Sequence, residues 1–184
     1  AEMLRKIVEK SLSLMDMPAA KFVVNVQSST ELNPYGMDKI TFLFSANNSL
    51  APRSLAEVAS GGEMSRVMLA LKALTSRQIQ LPTIVFDETD TGVSGKVASS
   101  MAQIMGEMCK EAEQQVLAIT HLPQIAAKAD VHYFVYKEDV DGRTLTRIRE
   151  LDSEQRITEL AHMLSGSKVT DAAMENARQL LQDK

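Results

Sequence analysis

The stretch TIVFDETD, residues 83–90, runs four residues fit for a buried strand straight into an adjacent pair of carboxylates, Asp87 and Glu88. Pro82 stands before it and a loop holding Gly92 and Ser94 after it, so the run is bounded as a short strand over 83–86. Two acids at the end of a strand hidden from water call for a reason, and the flanking sequence supplies the candidates.

Downstream, apolar residues recur at helical spacing over about 96–113, a second apolar strand follows over 116–120, and His121-Leu122-Pro123 opens a short helix ending near Lys128. Upstream lies a helix over about 63–77 with Met64, Val67, Met68, Leu71 and Leu74 inward, its methionines read as core filler rather than a cofactor box. Strand–helix–strand alternation with apolar, bounded strands predicts an α/β domain with a largely parallel central sheet. Farther out, strands over 131–137 and 144–150 flank the turn Asp141-Gly142, and helices near 153–164 and 170–182 follow. On the amino-terminal side, 21–27 alternates with Phe22, Val24 and Val26 on one face. The segment 39–46 does so with Ile40, Phe42 and Phe44, across the loop Asn33-Pro34-Tyr35-Gly36, which predicts an antiparallel pair. Residues 2–17 form one amphipathic helix through Leu4, Ile7, Val8, Leu12, Leu14 and Met15, ended by Pro18.

With 184 residues and 45% hydrophobic content the chain has enough material for one domain with a real core. A formal charge of −4 speaks against a protein that coats nucleic acid over its whole surface and leaves only a local basic face open. The single cysteine, Cys109, permits no internal disulfide and no metal-ligand cluster, which suits a reducing cytosol; it reads as an ordinary helix residue. No apolar run approaches the length of about 18 residues that a membrane span needs, and the expectation is a soluble, cytoplasmic protein with no membrane partner. Since the first residue is Ala1 and the opening is already helical in pattern, the chain is expected to be a piece of something longer.

In a parallel sheet the loops at the carboxyl ends of the strands gather at a crevice where ligands bind, which is where Asp87, Glu88 and His121 fall. An aspartate directly after an apolar strand suits Mg²⁺, and a neighbouring glutamate can orient water toward a phosphorus centre. Taken alone, the pair is equally a cap on the following turn. A second candidate precedes the helix at 63–77: Ala59-Ser60-Gly61-Gly62-Glu63 joins two glycines, a hydroxyl donor and the unpaired N–H groups of a helix start, a combination suited to phosphate oxygens. Its plainer reading is a capped helix start, with Ser60 and Glu63 spaced as a capping box.

Ser60-Gly61-Gly62-Glu63, then Phe86-Asp87-Glu88 with its Thr89-Asp90-Thr91-Gly92 loop, then Thr120-His121 resemble, in that order, three elements of an ABC-type ATPase head. These are its signature motif, Walker B motif and switch histidine, in the wording of SMC-like DNA-repair proteins. The likeness runs from about Leu55 to the end. It implies ATP and Mg²⁺ as cofactors, with Asp87 on the metal, Glu88 on the attacking water and His121 sensing the γ-phosphate. Ser60, Gly61, Gly62 and Glu63 would face the nucleotide of a second head. The implied role is ATP hydrolysis in DNA double-strand break repair and recombination, in the cytoplasm with the nucleoid. The implied partners are an amino-terminal lobe of the same protein, a second head in an ATP-dependent homodimer, and DNA ends or single strands. Residues 1–17 would be the foot of a coiled-coil arm and 18–184 the carboxyl-terminal lobe.

Two departures bound the resemblance. No G-x-x-x-x-G-K-[ST] phosphate loop is present: at the only Gly-Lys, Gly95-Lys96, Asp90 takes the place of the first glycine and Val97 that of the hydroxyl. Heads of this type carry that loop on the amino-terminal lobe, so the likeness is to the carboxyl-terminal lobe alone, and the isolated chain is expected to be inactive. In the loop after Walker B, Ser94 stands where many ABC proteins have an aspartate, so the contacts of that aspartate do not carry over. Two rival readings remain: a non-catalytic head-docking module of ABC-like shape, and a free-standing metal-dependent hydrolase using Asp87, Glu88 and His121. Gly92-Val93-Ser94-Gly95 lacks the spacing of a nucleophile elbow, Glu159 and His162 lack the second histidine of a metal helix, and His132 reads as structural. Arg143, Arg147 and Arg149 could meet DNA phosphate, but among acidic neighbours they read as an ordinary solvated surface.

Overall fold

A computed structural model describes residues 1–57, 60–93, 95–112, 114–166 and 168–183, so Ala59 and Ser94 of the motifs above lie outside the described residues. In chain order the elements are α1 (Glu2–Leu14), β1 (Lys21–Asn33), β2 (Gly36–Ser45), the two-residue β3 (Arg53–Ser54), α2 (Gly61–Gln78) and β4 (Thr83–Asp87). There follow α3 (Gly95–Ala112), β5 (Gln115–Ile119), α4 (Pro123–Lys128), β6 (Tyr133–Val140), β7 (Arg143–Glu150), α5 (Ser153–Ser165) and α6 (Asp171–Gln182).

The antiparallel pair predicted near the amino end is β1 and β2, in the register Phe22↔Phe44, Val24↔Phe42 and Val26↔Ile40. Both strands run farther than their alternation, because the Asn33 side chain accepts from the Tyr35 N–H at 2.8 Å and fixes the turn. The polar residues before it then stay in the ladder past a register shift between Ser28 and Asn33. At the other end, β6 starts at Tyr133, which leaves His132 outside the strand. Its carbonyl accepts from the Leu151 N–H at 2.9 Å.

The parallel sheet is the pair β4–β5, with Val85 beside Leu117 and Asp87 beside Ile119. One of its faces packs on the main core. Phe86 is fully buried there with Val8, Leu12 and Met15 of the α1 end, Phe22 and Phe44 of the hairpin, Val67 and Ala70 of α2, and Met101 and Met108 of α3. Burying Phe86 alone is worth about 1.5–3 kcal/mol. On α2 the inward stripe centres on Val67, Leu69, Ala70 and Ala73, small enough to let α1 and α3 approach, while Met68, expected inward, is exposed. Ser76 and Gln114, both buried, bond to each other, and Gln114 also donates to the carbonyls of Ser76 and Leu81, which ties the end of α2 to the start of β5. Ala126, Ala127, Leu160, Ala161, Ala173 and Ala177 form a second cluster between α4, α5 and α6.

The expectation that the 83–86 strand is hidden from water holds on one face only. Its other face carries Val85, 48% exposed, beside Leu117 at 43% and Ile119 at 55%. Parallel sheets are normally covered on both faces, so this layer is open within the described residues. The β6–β7 hairpin shows the same feature in smaller form, with the cross-strand pair Val135 and Ile148 exposed.

Candidate functional site

At the start of α2, Ser60 is the N-cap: it is extended, and its hydroxyl accepts from the Glu63 N–H at 3.4 Å. The capping box suggested by the sequence is one-sided here, whereas Asp152 and Gln155 at the start of α5 make both arms of one. Gly61 is exposed and a side chain there would meet open space. Gly62 is buried, and a Cβ on it would come within 2.6 Å of the Gly92 carbonyl oxygen. The two backbones therefore touch, and the start of α2 sits against the loop that follows the carboxylates. Arg66 braces it from the other side, donating to the Gly62 carbonyl at 3.0 Å and to the Met15 carbonyl at the end of α1 at 3.2 Å.

Asp87 ends β4 with its side chain exposed. Glu88, also exposed, has φ +45°, a left-handed conformation that a non-glycine residue adopts at a cost. Its N–H donates to the Ile119 carbonyl at 3.1 Å, which continues the parallel ladder one step and swings the side chain off the strand. The Thr91 hydroxyl closes the turn onto the Glu88 carbonyl at 2.9 Å.

Asp90 lies under this turn, 1% exposed. Its Oδ2 accepts from the Thr120 hydroxyl and from the His121 backbone N–H, the latter at 3.3 Å. Among the described residues its Oδ1 has no hydrogen-bond partner, and His121 Nδ1 lies 3.4 Å away. The His121 side chain is 65% exposed, so its ring has one edge on a buried carboxylate and the other in solvent. Sequence reasoning missed this role of Asp90, which stood out only as the residue that breaks a phosphate-loop pattern. The signal was available in the spacing: an acid three residues past one parallel strand lies level with the Thr-His step that ends its neighbour.

The structure thus brings Gly62, Glu88 and His121 to one loop, 88–93, by a backbone contact, a ladder bond and a carboxylate. Among the described residues no group of three or more His, Cys, Asp or Glu could hold a metal ion by itself. Asp87, a single open carboxylate at a strand end, fits a Mg²⁺ ion that takes its remaining ligands from water and nucleotide phosphates rather than from a protein cage.

No family model matches the chain. Over 182 residues, 98% of its length, it is 39% identical to the DNA repair protein RecN of Vibrio cholerae, and over 151 residues it is 46% identical to that of Bacillus subtilis. The chain belongs to the RecN family. It spans about a third of these relatives, 32% of the Vibrio protein and 26% of the Bacillus one. The fold is that of SMC heads: the Smc head domain of Pyrococcus yayanosii, solved with a coiled coil and joint, superposes on 86% of this RecN-family chain with a TM-score of 0.65 at 20% identity, using 28% of its own length. A chain from SMC ATPases studied for ATP-driven dimerization matches 91% of it, and 94% of its own length, at a TM-score of 0.62 and 17% identity.

Proposed function

We propose that this chain is the carboxyl-terminal lobe of an ATP-hydrolysing, SMC-like head that acts in DNA double-strand break repair and recombination. The observation that carries the reading is the convergence of three motif segments on the loop 88–93: Gly62 against Gly92, Glu88 on Ile119, and Asp90 on Thr120 and His121. Asp87 holds Mg²⁺, which when bound offsets charge on the nucleotide phosphates. Glu88, turned off the strand by its left-handed backbone, positions the attacking water, and His121 presents its open edge to the γ-phosphate. Ser60, Gly61, Gly62 and Glu63 offer the start of α2 to the nucleotide of a second head, with Gly61 leaving the backbone bare for close approach.

An amino-terminal lobe of the same protein supplies the phosphate loop and covers the open face of Val85, Leu117 and Ile119. The chain alone is therefore inactive. Helix α1 is the foot of a coiled-coil arm, its outer turns exposed at Met3 and its inner end buried at Val8 and Leu12. DNA, as ends or single strands, is the nucleic-acid partner, and the protein works in the cytoplasm on the nucleoid.

The test uses the complete protein with Glu88→Gln. ATP binding and ATP-dependent association of heads are retained, while turnover falls by about a hundredfold or more, as expected when a water-positioning carboxylate is lost. Hydrolysis at the normal rate overturns the role of Glu88 and favours the non-catalytic docking module.

A further inference from the structure

Asp90 is a carboxylate taken almost wholly out of water, and among the described residues Oδ1 has no hydrogen-bond partner, with the His121 ring nitrogen Nδ1 3.4 Å away. A buried polar atom left unpaired is costly, so the pairing that satisfies it is the one to look for. We propose that Asp90 is a positioning residue for His121. It accepts the Nδ1 proton, turns that edge of the ring inward, and leaves Nε2 as the only nitrogen presented to a ligand. The inference rests on the reading of His121 as a γ-phosphate sensor for its consequence, but not for its geometry.

The geometry has three supports. The Thr120 hydroxyl donates to Asp90 Oδ2 and accepts from the Leu122 N–H at 3.0 Å, so the whole step from strand β5 into helix α4 is pinned to one carboxylate. The His121 N–H donates to the same oxygen, which fixes the Cα from which the ring projects. With Oδ2 so occupied, Oδ1 faces Nδ1 at 3.4 Å, a distance that a small ring rotation turns into a hydrogen bond. Which imidazole nitrogen carries the proton is set by the hydrogen bond the ring makes. An inward Nδ1–H leaves Nε2 to accept from a water while the ring is neutral and to donate to a phosphate oxygen when it is protonated.

Asp90→Asn is the discriminating variant because it keeps size and changes donor logic. The carboxamide oxygen must stay with the His121 N–H, which can only donate, so the NH₂ turns toward Nδ1 and forces the proton onto Nε2. The measurement is long-range proton–nitrogen correlation of ¹⁵N-labelled chain at mildly alkaline pH, with the signals of the three histidines assigned through His121→Gln. Expected is the Nδ1–H form of His121 in the unaltered chain and the Nε2–H form in Asp90→Asn. An Nε2–H form in the unaltered chain overturns the proposal, and that result does not depend on whether the variant folds; a tautomer that ignores Asp90→Asn in a folded chain overturns it as well. In the complete protein the same variant lowers kcat by at least about tenfold with KM for ATP unchanged, the behaviour of an active-site histidine held in the wrong tautomer. A tautomer switch with unaltered turnover upholds the pairing of Asp90 with His121 and overturns instead the nucleotide role given to His121.

Discussion

His132 is a residue whose setting, rather than its type, decides its behaviour. Partial burial holds its imidazole below the ordinary histidine value, with the nearby Arg156 guanidinium adding to the effect. Arg156 is itself lowered by burial against the opposing pull of Asp130, and it is kept in place by donating to the carbonyls of Ala126, Ala127, Ala129 and Asp130 at the end of α4. Between the depressed folded value and the ordinary one near 6.5, the unfolded chain binds a proton that the folded chain does not, so stability rises with pH across that window. Read in the other direction, stability is lost as pH falls through about 6.5, and the loss from this group saturates below the folded value. Melting temperatures taken between about pH 7.5 and 5.5 fall, and His132→Gln flattens that fall; a pH profile unchanged by His132→Gln removes this residue from the account. The cationic neighbour of His132 was not legible in the sequence, because Arg156 lies in another element and reaches it only through the packing of α5 on α4.

At the scale of elements, the two adjacent glycines at the start of α2 make opposite demands. Gly61 has open space where a Cβ would go, so Gly61→Ala gains helix propensity, up to about 1 kcal/mol, and raises the melting temperature slightly. Gly62→Ala gains the same propensity and yet destabilises, because its Cβ would press to 2.6 Å on the Gly92 carbonyl, a backbone atom that cannot swing aside as a side chain can. Equal tolerance at both positions would show that the seam between α2 and the loop after β4 is loose. The order of the elements was legible from periodicity and punctuation, since the strands at 83 and 116 and the helices between and after them fall within a few residues of expectation. What periodicity does not carry is distance: the Gly62–Gly92 contact and the Asp90–Thr120 bond each join segments about 30 residues apart. It also does not reveal which apolar side chains lack a partner. Val85 and Phe86 look alike in sequence, yet one is exposed and the other fully buried.

For the molecule as a whole, that contrast marks an apolar face of β4 and β5 that nothing among the described residues covers. No helix among the described residues is long and apolar enough to cross a membrane. A polar substitution distinguishes a bare surface from an interface. In the isolated chain Leu117 stands 43% exposed, so Leu117→Asp forfeits only part of a leucine's burial and shifts the melting temperature less. If the amino-terminal lobe covers this face in the complete protein, the same change loses most of the burial of a leucine, about 1.5–3 kcal/mol. It also places a carboxylate between two apolar layers, which costs more unless the layers part. The expected outcome is a pair of melting shifts, the one for the complete protein several degrees larger than the one for this chain, with a matching loss of ATP binding as the lobe that carries the phosphate loop detaches. Ile119→Ser, on the same face and one residue from the Thr120–Asp90 bond, serves as a second variant and follows the same pattern. Equal shifts in both proteins would mean that this face stays open in the assembled head, and the amino-terminal lobe would then have to dock elsewhere.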